Sequence, residues 1–146
     1  MIVVIIPSQA KKRPELLRLF VDGGSRGNPG PAAIGVTLKN ADEELVTVIS
    51  EKIGITTNNQ AEYRALIAGL KKALSLGAKE VVIRVDSELV VKQLLGQYRV
   101  KNANLKPLYE EAKRLVGGLA NCQITAIPRE RNREADNLAN QALDTP

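Results

Sequence analysis

Apolar and polar positions divide the chain into short, closely spaced elements. Leu16–Val21, apolar except for Arg18, has the length and composition of a buried strand. Asp22 to Pro31 is rich in glycine and proline and reads as a turn. Ala33–Leu38 and Glu44–Ile49 read as a hairpin turning through Asn40, Ala41 and Asp42. A 3.6-residue period then predicts a helix from about Asn59 to Leu76, stopped by Gly77. Val81–Val85 is a β-branched run bounded by charge, hence another buried strand. Ser87 can cap a short helix to Leu95, ended by Gly96. Asn104 and Pro107 suit the start of a helix ending near Gly117–Gly118. Ile124–Ile127 is the last strand and Asn132–Leu143 the last helix. The order β-β-β-α-β-α-α-β-α predicts an α/β fold: three antiparallel strands, then parallel crossovers, with helices on the faces of a mixed sheet. Residues 1–13 read as an N-terminal extension ahead of one domain, 14–146, with Met1–Ile6 as either an extra edge strand or a mobile arm.

Certain acids break these patterns. Asp22 directly follows one apolar strand run and Asp86 directly follows another, Val81-Val82-Ile83-Arg84-Val85. Each therefore falls at the C-terminal end of a central strand, the edge where open α/β sheets bind ligands. A turn start at Asp22 and a helix cap at Asp86 are the bland alternatives. Glu62 shares a helical face with Leu66, Gly69 and Ala73, the face that helix should bury. A capping box with Asn59 explains an acid in the first turn but not one aimed at the core. Asp136 likewise aligns with Ala139 and Leu143 at the margin of an apolar stripe.

Composition narrows the chemistry. The 146 residues contain no histidine and one cysteine, Cys122. Ser-His and Cys-His nucleophiles, histidine metal ligands and a disulfide framework are thereby excluded. Four acids gathered at one place would repel one another unless a cation compensated them. Oxygen ligands alone suit Mg²⁺ or Mn²⁺, and two such ions can drive a phosphodiester displacement without histidine. The formal charge of +5 favours anionic partners, nucleic acid first. The apolar run Ile2–Ile6 falls far short of the ~20 residues that span a bilayer, so no membrane association is expected and the chain reads as cytoplasmic.

Gly24, Gly27 and Gly30 superficially suggest a phosphate loop. However, no Gly-Lys-Ser/Thr is present, and a strand follows instead of a helix. The glycines would instead admit a ligand close to the backbone beside Asp22. Taken together, "DGGSRGNPGPAAIG", "TTNNQAEYRALIAGL", "VDSELVVKQL" and "RNREADNLANQAL" resemble type 1 ribonuclease H, most of all its compact archaeal and bacterial branch. The resemblance runs from about residue 16 to residue 143, with all four motifs in the family's order.

The resemblance implies a five-stranded mixed sheet flanked by helices, making residues 14–146 a ribonuclease H catalytic domain. It implies Mg²⁺- or Mn²⁺-dependent endonucleolytic hydrolysis of the RNA strand of an RNA–DNA hybrid, leaving 5′-phosphate and 3′-hydroxyl ends. Two ions per site are expected with substrate bound, and the chain is expected to act as a monomer. Asp22, Glu62, Asp86 and Asp136 match the family's metal-binding, catalytic acids. Asn28, Asn58 and Asn59 match its minor-groove and backbone contacts, and Thr57 and Ser87 lie where it meets phosphates. Gly24, Ser25 and Arg129 join these as expected substrate contacts. Such amide and hydroxyl groups suit recognition of a hybrid by shape and 2′-hydroxyls.

Two departures stand out. Many relatives carry a histidine before the last acidic helix, where this chain has Pro128-Arg129-Glu130-Arg131-Asn132. Long-form relatives also insert a basic protrusion, for which Gly96–Asn104 is too short; Arg99 and Lys101 are expected to grip substrate in its place. Double-stranded RNA is a second candidate substrate. A DnaQ-like exonuclease would show Asp-x-Glu where this chain has Asp22-Gly23-Gly24, and a transposase or integrase core would end in glutamate, not Asp136. The alternative from another class is a non-catalytic hybrid-binding module on the same fold, which a missing acid would favour; all four are present.

Overall fold

A computed structural model describes residues 15–146, so the expectations for residues 1–13 fall outside the described residues. Five strands, β1 (Leu16–Ser25), β2 (Gly30–Lys39), β3 (Leu45–Thr56), β4 (Glu80–Val85) and β5 (Asn121–Ala126), form one sheet in the order β3-β2-β1-β4-β5. β1, β2 and β3 pair antiparallel, whereas β4 and β5 join parallel to β1. Among the described residues four helices complete the fold: α1 (Asn58–Ser75), α2 (Glu88–Leu94), α3 (Lys106–Gly117) and α4 (Arg133–Asp144). A 3₁₀ turn over Arg129–Arg131 leads into α4. The expected five-stranded mixed sheet and element order are thus those observed.

Strand boundaries differ from the pattern-based reading. β1 does not stop at Val21 but runs on through Ser25, because Gly23 and Gly24 stay in register opposite Ile34 and Ala33. The turn is accordingly shorter than Asp22–Pro31. β3 extends seven residues beyond Ile49, to Thr56, along a β2 that itself begins at Gly30. Polar residues on this edge strand hid its length. α1 begins at Asn58, and its cap is Thr57, whose hydroxyl accepts from the Gln60 N–H, rather than Asn59. α3 begins at Lys106, and Asn102 rather than Asn104 turns the chain, accepting from the Asn104 and Leu105 amides.

Alternation along β1 separates the two faces of the sheet. Leu17, Leu19 and Val21 point toward α1, where they pack with Leu66, Leu70, Val81, Ile83 and Val85 in the main aliphatic core. α2 and α3 add Val90, Leu94, Ala112 and Leu115 to that core. Tyr63, fully buried, donates its hydroxyl to Gln93 Oε1 at 2.6 Å, which pins α1 to α2. α4 covers the opposite face with small residues, Ala135, Ala139 and Ala142.

Two glycines let the helices come close. A Cβ on Gly23 would collide with the Ala61 carbonyl of α1, and one on Gly35 with the Ala135 carbonyl of α4. Gly35 lies directly opposite Asp22 in the β1–β2 ladder, so their side-chain positions share a face. Gly23 is the next residue along β1, so α1 and α4 approach the same end of the sheet from opposite sides.

Candidate active site

At that end the chain brings together acids from three elements. Asp22 stands in β1, Glu62 in the first turns of α1, and Asp86 one residue past β4. One carboxylate oxygen of each lies within 4.8 Å of the other two. Glu62 is buried to 4% exposure and Asp22 to 9%. The Gly23 N–H donates to Glu62 Oε1 at 2.9 Å, holding the helix-borne acid against the strand that carries Asp22. Glu62 Oε2 is buried with no hydrogen-bond partner among the described residues. Asp136, in the first turn of α4, is less buried and lines the same cavity, with Oδ1 3.8 Å from Arg129 Nη2.

The electrostatics follow from this crowding. Burial raises the Asp22 pKa well above the carboxylate range, and the neighbouring Glu62, Asp136 and Asp86 push it further. Burial also raises Glu62, partly offset by the hydrogen bonds from Asp22 and Gly23 and by the Arg129 charge. Without a compensating cation, burial and mutual repulsion favour a proton held between this pair. A divalent cation among the three acids would keep them ionised and give the orphaned Oε2 a partner. The all-oxygen donor set therefore fits a hard divalent ion.

These findings agree with comparisons to known proteins. The family described as "Reverse transcriptase-like" matches residues 20–142. The crystal structure of RNase H1 from the halophilic archaeon Halobacterium salinarum superposes with a TM-score of 0.87 at 44% identity, covering 88% of this chain and 98% of that one. The chain belongs to the ribonuclease H family. LC11-RNase H1, solved in complex with an RNA/DNA hybrid, gives a TM-score of 0.83 at 41% identity, over 88% of this chain and 96% of that one. The bifunctional protein Rv2228c of Mycobacterium tuberculosis is 48% identical over 124 residues, 84% of this chain. This chain spans only 34% of the mycobacterial protein's length.

Against that ribonuclease H frame, the expected substrate contacts divide. Gly24, Ser25, Asn58, Ser87 and Arg129 line the cavity that holds the four acids. Asn58 Oδ1 accepts from the Ser25 amide at 3.3 Å, and the Asn58 amide donates to Asn28 Oδ1 at 3.0 Å. The glycine turn and the start of α1 are therefore stitched together, with Asn28 beside rather than in the cavity. Asn59 is exposed at the start of α1. Thr57 is engaged as that helix's cap and Ser87 as the cap of α2, accepting from the Val90 amide. Arg99 lines a separate cavity with Tyr98, Lys106 and Tyr109, and Lys101 is exposed nearby in sequence.

Three residues outside the expected set belong to the site. Arg26 lines the cavity and pairs with Asp144 at 2.7 Å, joining the glycine turn to the end of α4. Asn140 lies one helical turn beyond Asp136, a spacing that could have revealed it. Asn132, 1% exposed, supports the acids from behind. Sequence pattern placed it only at the start of the last helix, which gave no sign of this.

Proposed function

We propose that this chain is a divalent-metal-dependent endoribonuclease that hydrolyses the RNA strand of RNA–DNA hybrids, leaving 5′-phosphate and 3′-hydroxyl ends. The observation that carries this reading is the Asp22–Glu62–Asp86 cluster, centred on the buried Glu62, whose repulsion and unpartnered Glu62 Oε2 a divalent cation would relieve. Those three acids, with Asp136 at the rim, would hold Mg²⁺ or Mn²⁺, two ions when substrate is bound. Such ions supply Lewis-acid stabilisation of the charge that develops on a phosphodiester in displacement, and they acidify the attacking water.

The protein's own groups hold and orient. The Gly23 amide keeps Glu62 facing Asp22. Asn28, Asn58 and Asn59 present amides to a shallow minor groove, where 2′-hydroxyls distinguish RNA from DNA. Thr57, Ser87, Gly24 and Ser25 offer hydroxyls and backbone amides to phosphates, and Arg129 brings positive charge to the mouth of the site. Arg99 and Lys101 would meet the backbone farther along the duplex. Nothing favours a non-catalytic module, since every acid the chemistry needs lies at one cavity.

A labelled RNA–DNA hybrid incubated with Mg²⁺, Mn²⁺ or EDTA tests the proposal, with double-stranded RNA and double-stranded DNA as comparisons. Cleavage of the RNA strand that needs metal and stops with EDTA is expected. An intact hybrid with either ion would reject the activity.

A further inference from the structure

Asn132 directly precedes α4, a position where asparagine normally caps the helix by accepting from its first amides. Here the side chain makes no cap bond. Its Nδ2 instead donates to the Val21 carbonyl at 2.7 Å and to Asp86 Oδ2 at 3.3 Å. Both partners are acceptors, so only the amide NH₂ can face them. The remaining oxygen, Oδ1, is buried and has no partner among the described residues. A side chain that forgoes its cap and leaves one polar atom unsatisfied gives up local stability.

Three bonds of this residue reach toward three of the acids. Val21 is the covalent neighbour of Asp22. Asp86 is bonded directly. The Asn132 carbonyl accepts from the Asp136 amide at 3.0 Å, forming the first turn of α4 around that acid. One buried amide thus spans β1 and β4 where each delivers a carboxylate, and fixes where α4 delivers a third.

We propose that Asn132 is a positioning residue for the cation site: its amide sets the Asp86 carboxylate and ties the start of α4 to β1, presetting Asp86 and Asp136 around a divalent ion. The proposal rests on the reading that these acids bind such an ion. Partners behind metal ligands typically contribute about 10- to 100-fold in metal affinity or activity.

The test compares wild type with Asn132→Ser and Asn132→Ala in the full chain. Mn²⁺ alone is titrated by calorimetry and by electron paramagnetic resonance, alongside circular dichroism melts and cleavage at several Mn²⁺ concentrations. Serine can cap α4 yet is too short to reach both acceptors, so it restores a capping role but not a positioning one. Asn132→Ser is expected to fold, to bind Mn²⁺ about tenfold more weakly, and to regain much of its cleavage as Mn²⁺ is raised. Mn²⁺ binding within twofold of wild type in both variants overturns the positioning role. So does loss of fold by both, which would make Asn132 a structural clamp. Failure of wild type to bind Mn²⁺ or cut the hybrid instead overturns the underlying reading, and the proposal with it.

Discussion

The backbone amide of Gly23 donates to Glu62 Oε1 at 2.9 Å across 39 residues of sequence. This bond exists because Gly23 has no side chain to hold α1 away from β1. The missing Cβ and the acid's orientation are one feature of the site.

Gly23→Ala should therefore damage stability and site together. The added methyl would meet the Ala61 carbonyl, forcing α1 outward at a cost of about 1–3 kcal/mol or more. Denaturant unfolding and calorimetric Mg²⁺ titration should report both losses. A variant as stable as wild type with unchanged Mg²⁺ binding would contradict the close approach described above.

Asp86→Asn should fold and lose nearly all cleavage, on the order of a thousandfold, because one charge is removed from the cation site. In metal-free buffer it should melt no lower than wild type, since a repelling neighbour of Asp22 has gone. Single-turnover cleavage within tenfold of wild type, with unaltered circular dichroism, would remove Asp86 from the mechanism.

Metal-free stability should fall as pH rises. Asp22 and Glu62 have folded-state pKa values above their ordinary values, chiefly through burial. Their contribution is fully present below the unfolded carboxylate pKa of about 4 and is lost as pH climbs toward the raised folded values. The chain has no histidine to blur this trend. Added Mg²⁺ should reverse it, with a stabilisation that grows with pH because protons and metal compete. Urea unfolding from pH 5 to 9, in EDTA and in Mg²⁺, measures both slopes. Stability in EDTA that rises between pH 5 and 8 would count against proton sharing by these acids.

Hybrid binding should weaken with salt. If about four phosphates are neutralised, log K should fall against log salt with a slope of about −3 to −4. Arg99 is exposed and lies outside the acidic cavity, so Arg99→Ala should flatten the slope by about one unit and leave hybrid preference unchanged. Fluorescence anisotropy at graded KCl concentrations reads this directly, and a slope unchanged by the substitution would exclude Arg99 from the backbone contacts.

Local pattern carried much of this protein. Apolar runs ending at Asp22 and Asp86, and an acid on the buried face of a helix at Glu62, are visible because burial imposes a period on each element separately. Element order, the mixed sheet and the acids followed from those periods and from the motifs. The extra length of β1 and β3 did not, because glycine and polar residues remain in a ladder whenever a neighbouring strand supplies partners. Tertiary structure alone decided which backbone amide meets Glu62, that Gly35 admits α4 opposite Asp22, and that Arg99 opens onto a different cavity. It also made Asn132 a bridge to Val21, 111 residues away. A residue's periodicity is set by its own element, whereas its hydrogen-bond partner is set by which elements become neighbours and in what register.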